Sequence, residues 1–216
     1  MAKFPEPPSA DALATVPPIT RTLPVGTTLV RIFFAGGAHP TDWNRFRHFG
    51  PTASRFDHHL PGPDGEADGS MQERGILYAA LGRQAFPTAL AEVFQTGRTI
   101  DRRARDPAVV FFSTSAPLVL LDLSTAFATR IGASMTINSG TRSRARRWAR
   151  RLHEAYPHAH GIHYPSSTNA NAPAAALFER AVEALPAEPD LLRPLADPRL
   201  TRIIRETAMT IGYRWR

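Results

Sequence analysis

Short apolar runs rich in β-branched and aromatic residues recur along the chain, and they constrain its fold more than any other feature. Runs of this kind are typical of buried strands, and they are TTLVRIFF (27–34), GILYAAL (75–81), PAVVFFS (107–113), APLVLLDL (116–123) and GIHY (161–164). Segments with helical periodicity lie between and after them, but strands and helices do not alternate regularly. The pattern therefore predicts an α+β fold with mixed sheets flanked by helices, rather than a doubly wound parallel sheet.

Several segments have the apolar spacing or the composition of helices. Residues 86–97 repeat apolar residues at helical spacing, with Gly97 placed to end the helix. The arginine-rich segment 141–151 has an apolar helical face opposite its arginines, and residues 197–212 also have one apolar face. Residues 172–185 favour a helix by composition, although AALFER within them could instead form a strand if the sheet includes it.

The remaining long segments are rich in proline or glycine. Residues 1–26 carry many prolines and no hydrophobic period, which predicts an extended amino-terminal arm. Residues 61–74 are rich in Gly, Asp and Glu, which predicts a mobile surface loop. We therefore expect one folded domain over residues 27–216, preceded by the arm.

The composition is that of a soluble globular protein, with 43% hydrophobic residues in 216. The absence of cysteine excludes disulfides, thiol nucleophiles and zinc–thiolate sites. No window approaches the roughly 18 unbroken apolar residues of a membrane-spanning helix, and residues 1–20 lack the apolar core of a secretory signal. We expect a soluble, cytoplasmic protein that does not enter a membrane.

A formal net charge of +7 points to anionic partners such as nucleotides, nucleic acid or an acidic protein. Much of the excess lies between Arg142 and Arg151. This segment fits a solvated helix face, a docking site for an acidic partner, or a nucleic-acid-binding surface. Aromatic residues are not interleaved with these arginines in the way that a base-stacking platform requires.

Motifs of several large enzyme classes are missing. The chain has no G-x-G-x-x-G after a strand, no P-loop, no G-x-S-x-G and no H-E-x-x-H, so Rossmann, kinase, hydrolase and zincin assignments lose their usual support. Its histidines cluster at His58–His59 and at His158, His160 and His163. Adjacent histidines in a strand point to opposite faces, and metal ligands must converge, so we predict no metal site.

Motifs in a fixed order along the chain carry the main functional signal. They are LVRIFF with Arg31, SRFDHH with Arg55, ILYAAL with Tyr78, TALAEVF with Glu92 and GIHYPSS with Ser166. In this order and spacing the chain resembles the RES-domain family, named for an arginine, a glutamate and a serine, from about residue 27 to about residue 212. Members of that family are toxins of bacterial toxin–antitoxin pairs.

The resemblance implies a fold and an activity. The implied fold is similar to that of the diphtheria-toxin-like ADP-ribosyltransferases, and the implied substrate is NAD+, cleaved between nicotinamide and ribose with phosphate or water as acceptor. The chain would then be an NAD+ phosphorylase or glycohydrolase that needs no cofactor, with inorganic phosphate as co-substrate in the first case. Some members are described as modifying a protein, so transfer of ADP-ribose to a protein target is the alternative activity.

The resemblance also implies partners. The usual partner is an Xre-type antitoxin that blocks the active site, and assembly as a homo-oligomer within a toxin–antitoxin complex stays open. Nucleic acid would then be reached through the antitoxin. A basic nucleic-acid-binding module remains the hypothesis from a different class of protein.

The motif residues suit chemistry on NAD+, which needs cations for its diphosphate, a wall for nicotinamide and an anion near the ribose. Arg31 and Arg55 fit the phosphate role because the planar guanidinium matches phosphate oxygens; Arg31 could alternatively hold the ribose, and a surface salt bridge is the structural alternative for both. The ring of Tyr78 would pack on nicotinamide, unless it is a plain core tyrosine. Glu92 borders the apolar face of its helix and would stabilise the positive charge that develops on the ribose.

The serine after the GIHYP run completes the set. Pro165 would stop the pairing of its strand, and a hydroxyl at the strand end would meet the nicotinamide amide or a phosphate, although a simple turn explains the same residues. STNANAP stands where the family pattern has a glycine-rich stretch, so Ser166 and Ser167 are both candidates, and alignment to Y-x-S favours Ser166. The residues predicted to take part are the catalytic set of Glu92, Arg31 and Tyr78 and the substrate-binding set of Arg31, Arg55, Tyr78 and Ser166.

Overall fold

A computed structural model describes residues 4–65 and 69–216, and a large mixed sheet dominates it. Its helices are α1 (Ala10–Ala14), α2 (Ala85–Val93), α3 (Phe127–Arg130), α4 (Arg142–Ala155) and α5 (Thr201–Ile211). Its strands are β1 (Thr20–Leu23), β2 (Thr28–Phe34), β3 (Ile76–Leu81), β4 (Thr99–Ile100), β5 (Pro107–Ser113), β6 (Leu118–Asp122), β7 (Gly161–Pro165), β8 (Pro173–Phe178), β9 (Leu191–Pro194) and β10 (Arg214–Trp215). None of the helices in these described ranges is long and apolar enough to span a bilayer.

The large sheet has eight strands in the order β1-β6-β7-β8-β3-β2-β5-β9. The β6–β7 pair is parallel, and the other neighbouring pairs of this sheet are antiparallel. Strands β4 and β10 form a separate parallel pair. The predicted fold class is therefore confirmed, because a mixed sheet flanked by helices without regular alternation is an α+β arrangement.

Helices cover one face of the sheet in two groups. Val30 and Ala80 pack in a buried cluster with apolar residues of α2 and α5. Ile76 and Ala176 pack in a second buried cluster with apolar residues of α3 and α4. Because alternate residues of a strand face the same side, Ile76 and Ala80 show that both groups cover one face and meet above β3. We call the line where they meet the seam.

A further apolar cluster fills the opposite face of the sheet. Leu29 and Phe33 of β2 pack there with Phe112 of β5. Trp43 and Phe46, from the segment between β2 and β3, cover these strands and are almost fully buried. The segment between β2 and β3 therefore closes the core on the side away from the helices.

Residues 172–185 form strand β8 and the 3-10 turn Glu179–Ala184, so the expected helix is wrong and the strand alternative is confirmed. Strand β8 lies between β7 and β3, and its residues Ala174–Ala176 are buried. Helix propensity is a weak preference that tertiary context overrides. Pairing on both edges satisfies the backbone of this alanine-rich segment more completely than an isolated helix would.

The amino-terminal segment also differs from the extended arm expected over residues 1–26. Ser9 accepts a hydrogen bond from the Ala12 amide at 3.2 Å and caps α1, and β1 pairs with β6 at the sheet edge. Trp148 of α4 donates from Nε1 to the Pro5 carbonyl at 2.9 Å. Residues 4–6 therefore pack across α4, and we call them the strap. Their contacts are individual hydrogen bonds and salt bridges, which the spacing of apolar residues in the sequence does not predict.

Two smaller expectations have different outcomes. Helix α2 begins at Ala85 and ends at Val93, before the Gly97 that was expected to end it. The described residues of the predicted loop 61–74 form no helix or strand, and residues 66–68 lie outside the described residues. The expected mobility of that loop stays a prediction.

Gly161 lies at a close approach of β7 to β8. A β-carbon there would come within 2.4 Å of the Ala176 carbonyl oxygen and 2.9 Å of Leu177 Cα. Because these are backbone atoms of a close-packed sheet, we expect Gly161→Ala to lower the free energy of unfolding by about 2 kcal/mol in urea denaturation. Gly97→Ala is the control, since a β-carbon at Gly97 meets nothing within 4 Å, and equal effects of the two substitutions would contradict this account.

Candidate functional site

The seam brings together side chains from α2, β3, β7 and the loop before β3. Glu92 lies on the last turn of α2, Tyr78 in the middle of β3 and Tyr164 on β7. The charge of Glu92 acts on the pKa of Arg55, Tyr78 and Tyr164, so all three lie within its electrostatic reach. A carboxylate, a guanidinium and two phenols therefore share one site.

Ser166 holds the Glu92 carboxylate. Its hydroxyl donates to Glu92 Oε1 at 2.6 Å, and it is fully buried. The neighbouring Ser167 is exposed to solvent. A hydrogen bond to a charged group is short and strong, so Ser166 fixes the position of the carboxylate, and Ser167 takes no part in that contact.

The turn between β7 and β8 positions Ser166. The Ser166 amide donates to the Ala172 carbonyl at 2.8 Å, so pairing continues past Pro165, which lies opposite Pro173 instead of ending the ladder. Within the turn, Asn169 Nδ2 donates to Thr88 Oγ1 at 2.8 Å. Thr88 precedes Glu92 by one turn of the helix. One face of α2 therefore makes two hydrogen bonds to the segment that joins β7 to β8.

Arg55 approaches the site from the loop before β3. Its Nη1 donates to the Gly140 carbonyl at 2.6 Å, and the residue is half-buried. Burial and the neighbouring charge of Arg142 lower the pKa of Arg55, while the Glu92 carboxylate opposes them. The guanidinium is therefore fixed on one side and has donors left for another acceptor.

Tyr78 offers an unsatisfied hydroxyl. Its Oη is buried and makes no hydrogen bond of normal geometry within residues 4–65 and 69–216, although the nearby Ser54 side chain lowers its pKa. Burial and the charge of Asp57 raise the pKa of Tyr78 well above its ordinary value. Buried polar groups are usually paired, so this hydroxyl is a ready partner for a ligand in the seam.

Asp57 lies within electrostatic reach of Tyr78. It is fully buried, and its Oδ2 accepts from Arg47 and from Thr52 Oγ1, each at 2.8 Å. Its Oδ1 contacts His59 Nδ1 at 2.6 Å. Although burial alone would raise it, the hydrogen bond from His59 and the charge of Arg47 hold the pKa of Asp57 well below its usual range.

Arg31 lies apart from the other predicted site residues. It neighbours Val30 on β2, and strand alternation places it on the face opposite α2 and Tyr78. Its Nη1 donates to the carbonyls of Trp43 at 2.8 Å and Arg45 at 3.1 Å, and burial lowers its pKa to about 10. These contacts hold the segment between β2 and β3, and the predicted role of Arg31 in catalysis stays a prediction.

A second polar cluster contains His58, His153 and Glu179. Their possible ligand atoms lie within 4.8 Å of one another. The rings of His58 and His153 stack at 4.4 Å and 25°, and both direct Nε2 at the carboxylate, at 3.4 and 2.7 Å. Nearly parallel rings do not aim their lone pairs at one point, and Arg180 lies 3.0 Å from His153 Nε2, so the geometry favours a hydrogen-bonded cluster over a metal centre.

The arginines of α4 are largely engaged within the chain. Glu6 forms salt bridges with Arg144 at 3.0 Å and Arg147 at 2.6 Å. Arg151 pairs with Glu154 at 2.9 Å. These pairs favour a helix face held by the chain's own strap over an open nucleic-acid-binding surface.

The structure thus brings four predicted site residues into one seam and leaves Arg31 on the other face of the sheet. Those four are Arg55, Tyr78, Glu92 and Ser166. The Y-x-S motif contains Tyr164 but predicts no role for it, and the sequence predicts Arg142 only as part of the basic helix. Tyr164 lies near Glu92 and Arg142 lies near Arg55 because segments that are far apart in the sequence pack together. No local sequence pattern predicts such contacts.

Comparison with known proteins supports the fold. No protein-family model and no curated protein matches the chain. A chain of the M. tuberculosis MbcT–MbcA toxin–antitoxin complex matches this structure with a TM-score of 0.51 at 16% sequence identity, and the match covers 86% of this chain and 92% of that one. At this identity the likeness establishes a shared fold over most of both chains.

Acid should destabilise the protein through His58. Burial lowers the pKa of His58 to about 4, whereas in the unfolded chain the imidazole titrates near 6.5. Between these values the unfolded state binds a proton that the folded state does not, so the free energy of unfolding falls as the pH drops from about 6.5 towards about 4. Urea denaturation at pH values of about 7.5, 6 and 5 measures the effect.

Two substitutions separate His58 from other titrating groups. His58→Phe suits the site because the His153 ring stacks on His58 at 4.4 Å and the Phe178 ring contacts it edge-on at 4.6 Å. The substitution should flatten the pH dependence. His158→Gln changes an exposed histidine and should leave the dependence as it is. A pH dependence that His58→Phe does not alter would refute the assignment.

Proposed function

We propose that this protein is an NAD+-degrading toxin of a toxin–antitoxin pair, and that it cleaves the bond between nicotinamide and ribose with phosphate or water as acceptor. The observation that carries the proposal is the Glu92 carboxylate, held at 2.6 Å by the buried hydroxyl of Ser166 in a seam that also contains Arg55 and Tyr78. These are residues of the RES-domain motifs, and the fold is shared with a chain of a toxin–antitoxin complex.

The reaction needs stabilisation of positive charge on the ribose. Cleavage leaves the bonding electrons on the nicotinamide nitrogen, which becomes neutral, while the ribose carbon gains oxocarbenium character. An oxygen of phosphate or water then bonds to that carbon, the acceptor releases its proton, and the products are nicotinamide and ADP-ribose or its 1″-phosphate. We assign to Glu92 the stabilisation of this charge and a hydrogen bond to the ribose 2′-hydroxyl.

The other seam residues would bind and orient the substrate. Because the Ser166 hydroxyl engages Oε1 of Glu92, we assign Oε2 to the ribose. The Tyr78 ring would pack on nicotinamide and its unsatisfied hydroxyl would bind the substrate. Arg55 would bind the diphosphate, and Arg31 would act indirectly by holding the segment that ends at Arg47 and supports Asp57.

An antitoxin partner follows from the same proposal. The fold neighbour comes from a toxin–antitoxin complex, and the RES-domain resemblance implies an Xre-type antitoxin that covers the active site, acting with the toxin in the cytoplasm. Transfer of ADP-ribose to a protein would use the same seam. Incubating the purified chain with NAD+, with and without phosphate, separates the outcomes: ADP-ribose, its 1″-phosphate, or a labelled protein.

Glu92→Gln should abolish most of the activity. The amide keeps the shape of the side chain but cannot neutralise the developing charge, so we expect NAD+ consumption to fall by about 10²–10³-fold. The measurement is NAD+ loss by the purified protein and by cells after induction. Glu188→Gln, at an exposed glutamate, is the matched control, and NAD+ that stays intact in arrested wild-type cells would refute the proposed function.

The two adjacent serines should differ in effect. Ser166→Ala removes the donor that holds the carboxylate, and we expect the rate of NAD+ consumption to fall by at least about tenfold, since a hydrogen bond to a charged group contributes about 1.5–3 kcal/mol. Ser167→Ala, at an exposed position, should leave the rate within about twofold. Similar rates for the two variants would argue against the assigned role of Ser166.

A further inference from the structure

Two guanidinium groups lie within electrostatic reach of each other at one end of the seam. Arg55 donates from Nη1 to the carbonyl of Gly140 at 2.6 Å, and Arg142 follows Gly140 by two residues at the start of α4. The charge of Arg142 is close enough to lower the pKa of Arg55. Like charges repel each other, so an anion that contacts both groups would stabilise them.

No carboxylate pairs with either group in the described part of the chain. Arg55 is held by a backbone carbonyl, and Arg142 donates from Nη2 to the side-chain carbonyl of Gln95. Both acceptors are neutral. By contrast, Arg144 and Arg147 of the same helix share the carboxylate of Glu6. The two seam arginines therefore keep their positive charge unbalanced by any direct ion pair.

Arg142 is also tied to the helix that carries the carboxylate. Gln95, which accepts from Arg142, donates from Nε2 to the Glu92 carbonyl at 2.6 Å. This chain of contacts places Arg142 next to the end of α2. Glu92 remains near enough to raise the pKa of Arg55, although its Oε1 is engaged by Ser166.

We propose that Arg142 is a binding residue of this site, and that it forms with Arg55 a subsite for a phosphoryl oxyanion. The inference rests on the proposed function, because it names the part of the site that would receive the phosphate groups of the reaction. Two guanidinium forks fit the several oxygens of a diphosphate better than one. The oxyanion could be the diphosphate of NAD+ or the inorganic phosphate that acts as acceptor.

Binding of ADP and of adenosine tests the subsite directly. Isothermal titration calorimetry compares the unchanged protein with Arg142→Gln and with Arg144→Gln, a control whose arginine pairs with Glu6. We expect Arg142→Gln to weaken ADP or inorganic phosphate by about tenfold to a hundredfold, the worth of a charged hydrogen bond, and to leave adenosine unchanged. Equal affinity of Arg142→Gln and unchanged protein for both anions would overturn the proposal, as would no binding of either anion by the unchanged protein.

Kinetics separate the two sources of the oxyanion. If the subsite receives the diphosphate, Arg142→Gln raises the KM for NAD+ and leaves the KM for phosphate unchanged. If it receives the acceptor, the KM for phosphate rises and release of ADP-ribose through water persists. Arg142-dependent binding of ADP or phosphate by a protein that consumes no NAD+ would sustain the subsite while refuting the proposed function.

A second pair of variants controls for folding. Arg142→Lys keeps the charge and loses the planar fork, whereas Gln95→Ala removes the neutral partner of Arg142 and leaves the guanidinium in place. Weaker anion binding in Arg142→Lys than in Gln95→Ala supports a direct role of the guanidinium. Equal losses of anion affinity in the two variants would show that the effect comes from breaking the contact between Arg142 and Gln95, which is a structural role. That result would overturn the proposal.

Discussion

The hydrogen bond from Ser166 to Glu92 is the contact on which the site depends, because it joins the sheet to a helix of the covering layer. Ser166 directly follows β7, and Glu92 lies on the last turn of α2. The bond from Asn169 to Thr88 repeats the connection one turn earlier. Two bonds on one helix face restrict both sliding and rotation, so the carboxylate has a defined position before any ligand arrives, as preorganised catalysis requires.

Local patterns in the sequence were sufficient for the fold class and for most strands, and the motifs selected the four residues that meet at the seam. The features that local patterns did not reveal share a cause. Arg31 sits in an apolar strand, where alternation shows that neighbours face opposite sides but not which side carries the site. The β8 segment has a helical composition that its two strand neighbours override, and His58 meets Glu179 across 121 residues. Contacts of that range leave no local signal.

Much of the positive charge of the chain is paired within the fold. Arg47 pairs with the buried Asp57, and Arg74 pairs with Glu154. Several arginines therefore serve as internal braces between loops and helices, where a guanidinium can satisfy several acceptors at once. Arg55 and Arg142 differ from these braces, because neutral carbonyl oxygens hold both of them.

The strap across α4 has a practical spectroscopic consequence. Trp148 is fully buried and donates to the Pro5 carbonyl, whereas Trp215 is partly in water already. Release of this segment would expose the Trp148 indole to water and shift its fluorescence to the red. Trp215 is already exposed, and Trp43 is buried on the opposite face of the sheet, so neither should change much. Tryptophan emission therefore reports, without any label on the protein, whether Phe4 and Pro5 remain packed on α4.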